Sequence, residues 1–171
     1  AQAFNESKCC DLVAVADVRA DAANALAEIV DGTAYSDYKQ LADLELDALI
    51  VATPPGTHPE IACFFMERGV AVLCEKPLCL SVAEAERMIA TAAENNVQFT
   101  MASKFRYCED VIKAKGILTS GTLGEVVQFE NAFTAKVDMS HRWNSNAEFS
   151  GGGVLIDNGT HSVDIIRYFM G

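Results

Sequence analysis

The sequence predicts an α/β fold with a parallel sheet and crossover helices, and three observations predict it. Short apolar runs of strand length recur at residues 12–16, 47–52, 70–74 and 98–102, with segments of helical composition between them. Polar and charged residues gather where those runs end, as at Asp17 and at Glu75-Lys76-Pro77. Strands buried on both faces and joined by helices leave this signature. Beyond residues 103–107 the alternation gives way to a more open pattern, the start of an α+β region.

Each element has a local reason. Residues 12–16 form a strand that ends in Asp17, and alanine-rich residues 20–29 form the helix after it. Residues 37–42 are helical in composition and residues 47–52 repeat the strand signal. The turn at residues 53–59 places Pro59 at a helix start, and Gly69 sits where that helix stops. Residues 70–74 form the next strand. Ser81-Val82-Ala83-Glu84 has the form of a capping box and opens a helix to about Asn95. Residues 98–102 close the strand series and residues 108–118 form a helix. Gly121 and Gly124 mark a turn, and residues 125–134 alternate like a strand with one exposed face.

Composition excludes some partners. The 171 residues carry 24 acidic and 13 basic side chains, a formal charge of -11, which argues against nucleic-acid backbone and anionic membrane surfaces. Apolar stretches such as residues 48–53 and 61–66 are too short to span a bilayer, and nothing at the start resembles a signal peptide, so the chain reads as soluble and cytoplasmic. Cys9, Cys10, Cys63, Cys74, Cys79 and Cys108 lack metal-ligand spacing, and four of the six sit in apolar helix or strand patterns as small hydrophobes. No metal is expected.

The chemistry concentrates in Gly151-Gly152-Gly153-Val154-Leu155-Ile156-Asp157-Asn158-Gly159-Thr160-His161 and in Glu75-Lys76-Pro77. Together they supply a carboxylate, an imidazole and an ammonium. If the chain is helical from Asn158, Asp157 and His161 share a face and couple electrostatically. His161 then exchanges a proton near neutral pH while Asp157 holds the imidazole or a substrate hydroxyl. The same spacing also suits a buried pair that only anchors a helix, and the three glycines suit either a close backbone approach to a ligand or a flexible linker.

In this order and spacing, Asp17, Thr53-Pro54-Pro55 with His58, Glu75-Lys76-Pro77, Lys104-Phe105-Arg106-Tyr107, the turn at residues 121–125, and Gly152 through Asp157 to His161 resemble the glucose-fructose oxidoreductase and inositol dehydrogenase (Gfo/Idh/MocA) family. The resemblance covers nearly the whole chain. It implies an incomplete Rossmann-type domain over residues 1–104 and the start of an open-sheet substrate and oligomerisation domain over residues 105–171. It implies a dinucleotide along the strand ends, with Asp17 on the adenosine ribose hydroxyls, favouring NAD over NADP, and Arg19 softening that preference. Thr53, Pro54 and His58 would flank the nicotinamide and pyrophosphate, Glu75 would shape the cofactor loop, and Arg106 would reach cofactor or substrate. Lys76 would stabilise the developing alkoxide and tune His161, the acid/base group acting on a hydroxyl of a sugar or cyclitol. Asp157 would hold substrate or the imidazole, and Trp143 and Asn144 would line the pocket; His141 lies in a polar loop, where histidines are usually unremarkable.

The sequence departs from the family at its start, where no Gly-x-Gly-x-x-Gly run precedes Asp17. The expectation is therefore an internal piece of a longer enzyme, inactive alone, whose absent first strand would lie between the strands at residues 12–16 and 70–74 of a 3-2-1-4-5-6 sheet. The full-length protein is expected to be a homo-oligomer. Two other readings stay open: a noncatalytic sensor or scaffold that keeps the fold, and a structural subunit that pairs through the open sheet.

Overall fold

The computed structural model describes residues 2–7, 9–134, 136–140, 145–146 and 150–171. Its contacts divide the chain into two units, Ala1–Asp47 and Ala48–Gly171.

In the first unit α1 (Gln2–Ser7) precedes β1 (Ala14–Ala16), α2 (Ala20–Val30), β2 (Thr33–Tyr35) and a 3-10 turn at Tyr38–Asp43. Helix α2 buries Ala23, Ala27 and Val30, a stripe at helical spacing. It ends at Asp31 in the left-handed conformation, φ 55°, whose N–H donates to the Ala27 carbonyl. The chain then returns beside its own start, with β1 and β2 parallel and Ala14 opposite Thr33. A Cβ on Gly32 would meet the Leu12 carbonyl oxygen at 2.9 Å, against backbone that cannot swing aside. Gly32→Ala is therefore expected to destabilise the protein by about 1–3 kcal/mol, the usual cost of overpacking. A urea midpoint equal to that of the parent would show that the crossing relaxes instead.

The second unit holds β3 (Ala48–Val51), a 3-10 turn at Pro55–Thr57, α3 (His58–Met66), β4 (Ala71–Cys74), α4 (Val82–Glu94), β5 (Phe99–Met101), a 3-10 turn at Lys104–Tyr107, α5 (Glu109–Thr119), a π-helical turn at Leu155–Gly159, and α6 (Thr160–Met170). Its sheet has the order β3-β4-β5, all parallel. Val51, Val72 and Cys74 of the strands and Phe65, Met66 and Met88 of the helices are all buried and belong to the core. The Ser81 hydroxyl caps α4 by accepting from the Glu84 N–H, and the Glu84 carboxylate reaches back to the Ser81 hydroxyl and the Leu80 N–H. Lys115 of α5 donates to the Phe169 carbonyl at 3.1 Å, where a cation suits the C-terminal end of α6. No helix among the described residues is long and apolar enough to cross a membrane.

Four sequence expectations change. The strand Thr33–Tyr35 has too short and polar a run to announce itself, yet it is the partner of β1. With no strand counted there, the sequence pattern sets residues 70–74 next to the first strand of the family's sheet. The ladder instead puts β4 in the middle of its sheet, paired on both sides. Residues 37–42 form a 3-10 turn, Tyr38–Asp43, with Asp37 and Gln40 completing a capping box, rather than a full helix. Only Cys63 and Cys74 of the cysteines are buried, and Cys9 and Cys10 are exposed.

The fourth concerns residues 125–134, which join no ladder among the described residues. Their period of two is nonetheless real. Phe129 stacks on Phe169, Asn131 accepts from the Ser162 hydroxyl, and Phe133 approaches His161, so alternate side chains lie along α6. Alternation follows from one covered face, and here a helix covers it.

Candidate functional site

The carboxyl ends of parallel strands are where α/β sheets receive ligands, and Asp17 in the first unit and Thr53, Pro54, Glu75 and Lys76 in the second lie at such ends. In the first unit Asp17 follows β1. Its Oδ1 accepts from the Arg19 N–H at 2.8 Å and lies 3.9 Å from the Arg19 guanidinium Nε. Its side chain is 39% exposed, and Oδ2 faces no donor among the described residues.

In the second unit Thr53 and Pro54 follow β3, and Glu75 and Lys76 follow β4. The Thr57 hydroxyl donates to the Thr53 hydroxyl at 2.7 Å. His58 is fully buried at the start of α3. Its Nε2 lies 2.7 Å from the Thr53 carbonyl, and its Nδ1 lies 3.1 Å from the Pro77 carbonyl and 3.2 Å from that of Leu78. Both ring nitrogens thus meet backbone oxygens, so His58 ties the loop after β3 to the loop after β4. The Lys76–Pro77 peptide is cis. Glu75 turns back to accept from the Lys76 N–H at 2.9 Å.

Lys76 reaches across to the π-helical turn. Its Nζ donates to Asp157 Oδ1 at 2.6 Å and to the Asp157 carbonyl at 3.0 Å, with the two side chains 21% and 32% exposed. An ammonium has three donors, so one is left over among the described residues. The glycine run makes this approach possible. Gly151 has φ +68°, and a Cβ there would run into the Leu80 side chain, so the close approach made by these glycines is to the loop carrying Lys76. The α-helical register begins at Thr160 rather than Asn158, because Asp157 belongs to the π turn. Such turns displace a side chain from the helical face, and here the carboxylate goes to Lys76.

His161 is 8% exposed on the first turn of α6. The Phe105 ring stands edge-on to it, centroids 4.9 Å apart at 87°, and Phe133 lies 6.2 Å away. Burial is the first cause that pushes its pKa down, followed by the Lys76 and Lys104 ammoniums; Asp157 and Glu75 oppose them. The imidazole is thereby biased toward its neutral, proton-accepting form. The buried Cys74 thiol is pushed up to about 12, first by burial and then by Cys79 and Glu75, which leaves it inert.

Arg106 turns toward α6. Its Nε lies 2.9 Å from both carboxylate oxygens of Asp164, and its Nη2 lies 2.7 Å from Oδ1. It also borders a shallow cleft of about 490 Å³ with Thr160, Val163 and Arg167. The sequence reading missed Asp164 and Phe105. Asp164 lies three residues beyond His161 and so on its helical face, and Phe105 sits inside the motif already singled out. Trp143, Asn144 and His141 lie outside the described residues. No cluster of three or more His, Cys, Asp or Glu side chains that could hold a metal occurs among the described residues.

The model of the oxidoreductase family with an NAD-binding Rossmann fold matches residues 1–103, and the Gfo/Idh/MocA C-terminal domain matches residues 111–171. The D-glucoside 3-dehydrogenase of Escherichia coli is 31% identical over 165 residues, 94% of this chain and 47% of that protein. The levoglucosan dehydrogenase of Pseudarthrobacter phenanthrenivorans is 28% identical over 141 residues, 80% and 36%. A solved levoglucosan dehydrogenase in complex with NADH and levoglucosan superposes with a TM-score of 0.83 at 26% identity, over 93% of this chain and 44% of that one. A 3-ketoreductase from Actinomadura kijaniata, in complex with NADP, gives 0.89 at 26% identity, over 99% and 52%. The chain thus spans about half the length of these relatives, or less.

Proposed function

The chain belongs to the Gfo/Idh/MocA oxidoreductase family, and on that premise we propose that it serves an NAD(P)-dependent dehydrogenase acting on a secondary hydroxyl of a sugar, cyclitol or sugar derivative. The observation that carries this is the Lys76–Asp157 ion pair at 2.6 Å together with an imidazole, His161, biased toward its neutral form. Relatives named for sugar oxidation support the substrate class.

The donor set fits a dinucleotide. Asp17, half-exposed at a strand end with one oxygen unengaged, suits two ribose hydroxyls and repels a 2'-phosphate, so NAD is the preferred cofactor. Arg19 tempers that preference. Thr53, Pro54 and Glu75 shape the strand-end loops that would hold the cofactor, and His58 holds those loops together. The nicotinamide supplies the acceptor for the hydride.

The remaining chemistry belongs to side chains of this chain. His161 takes the hydroxyl proton as the carbon-bound hydrogen leaves. The unengaged N–H of Lys76 faces the developing alkoxide, and Asp157 fixes the ammonium in place. Residues 1–104 and 105–171 act as cofactor and substrate domains. In this reading the whole protein is a cytoplasmic homo-oligomer.

Calorimetric titration of NAD and NADP into this chain, and into the same gene product extended in both directions, tests the reading. The expected result is binding by the extended protein alone, NAD tighter, with Asp17→Ser narrowing the ratio by about tenfold, the weight of roughly one charge-assisted hydrogen bond. A folded extended protein that binds neither nucleotide would overturn it in favour of a noncatalytic sensor.

A further inference from the structure

The Lys104–Tyr107 turn touches α6 twice on one face. Arg106 forks onto Asp164 and stands over the Tyr168 ring, 5.5 Å from its centroid. One residue earlier, Phe105 sets its edge against His161. His161, Asp164 and Tyr168 are spaced three and four apart, so they line a single stripe of the helix. Phe133 closes the arrangement by lying 5.1 Å from Phe105 and 6.2 Å from His161.

We propose that the Arg106–Asp164 fork is a clasp that positions His161: it pins the turn to α6 so that Phe105 stays against the imidazole and keeps water from that edge. Arg106 and Asp164 are then positioning residues, acting on the reaction through the geometry and hydration of another side chain. A planar guanidinium gripping both carboxylate oxygens fixes direction as well as distance, which a point charge does not. Three geometric facts converge on this role: the fork, the adjacent aromatic edge contact, and the shared helical stripe.

The charged groups that act on His161 are Lys76 and Glu75 from the loop after β4, Lys104 from the turn, and Asp157 from the π turn. Asp164 lies on its own helix. Burial is the first cause of the depressed pKa, so opening the clasp would return the ring toward its ordinary 6.5.

This inference rests on His161 being the acid/base group, but its test needs neither substrate nor turnover, so the two can fail separately. The chain has three histidines, and the His161 signal in a ring-labelled NMR titration is the one that disappears in His161→Asn. Arg106→Lys keeps every charge and removes the fork. The expected result is a rise of about half a unit or more in the His161 midpoint. Phe105→Leu, with all charges in place, sets the scale of that rise. Should Arg106→Lys fail to fold, Asp164→Asn decides by sign: an uncompensated Arg106 would lower the midpoint, so only an opened turn raises it. A midpoint unchanged or lowered in the folded variant would overturn the clasp.

Discussion

Lys76→Met is expected to lower kcat/KM for alcohol oxidation by about 100- to 1,000-fold, the cost of removing one donor aimed at a developing oxyanion. Methionine keeps the length of the side chain and removes its three donors, so packing in the loop after β4 changes little. The loss should fall on kcat and kcat/KM alike, since the ammonium matters most when the hydroxyl oxygen gains charge. A second readout separates this from simple disorder. Lys76 holds the His161 pKa down and Asp157 opposes it, so without the ammonium the acid limb of the rate profile moves to higher pH. Wild-type kcat/KM in the variant would remove Lys76 from the chemistry. An unmoved acid limb would remove it from the electrostatics of His161.

Short apolar runs were readable. Residues 48–51 and 71–74 are nearly unbroken in apolar character and bounded by turn residues, which marks both as strands, although Ala48 and Ile50 are exposed. Thr33–Tyr35 was not, because three residues with a polar start carry no period. The alternation of residues 125–134 was legible and its partner was not: a repeat of two says that one face is covered, not that a strand covers it. The site divides in the same way. Glu75-Lys76-Pro77 and the glycine run to His161 stand out by composition, yet Lys76 and Asp157 are 81 residues apart, and Arg106 and Asp164 are 58 apart. Nothing in spacing joins residues so distant. His58 shows the other limit, since its motif marks it for the site while its burial makes it a brace between two loops.

His161→Asn is expected to lower kcat by about 100- to 10,000-fold, the usual weight of a positioned general base, and to abolish the acid limb of the rate profile. The same substitution should change how stability depends on pH. In the unfolded chain the imidazole titrates near its ordinary 6.5, whereas in the folded protein burial, Lys76 and Lys104 depress it. At pH values below 6.5 the unfolded state therefore binds the proton more readily than the folded state does. The contribution of His161 to stability is present above 6.5 and is lost as pH falls through its folded value. Asparagine does not titrate, so the variant's urea midpoint should fall less than the parent's between neutral pH and pH 5. Activity and stability then report one property through two assays, an imidazole kept neutral by the rings of Phe105 and Phe133 and by two ammoniums. If the variant lost activity while its stability fell with pH as steeply as the parent's, the depressed pKa would have to reside on another group. The acid limb would then need a different owner.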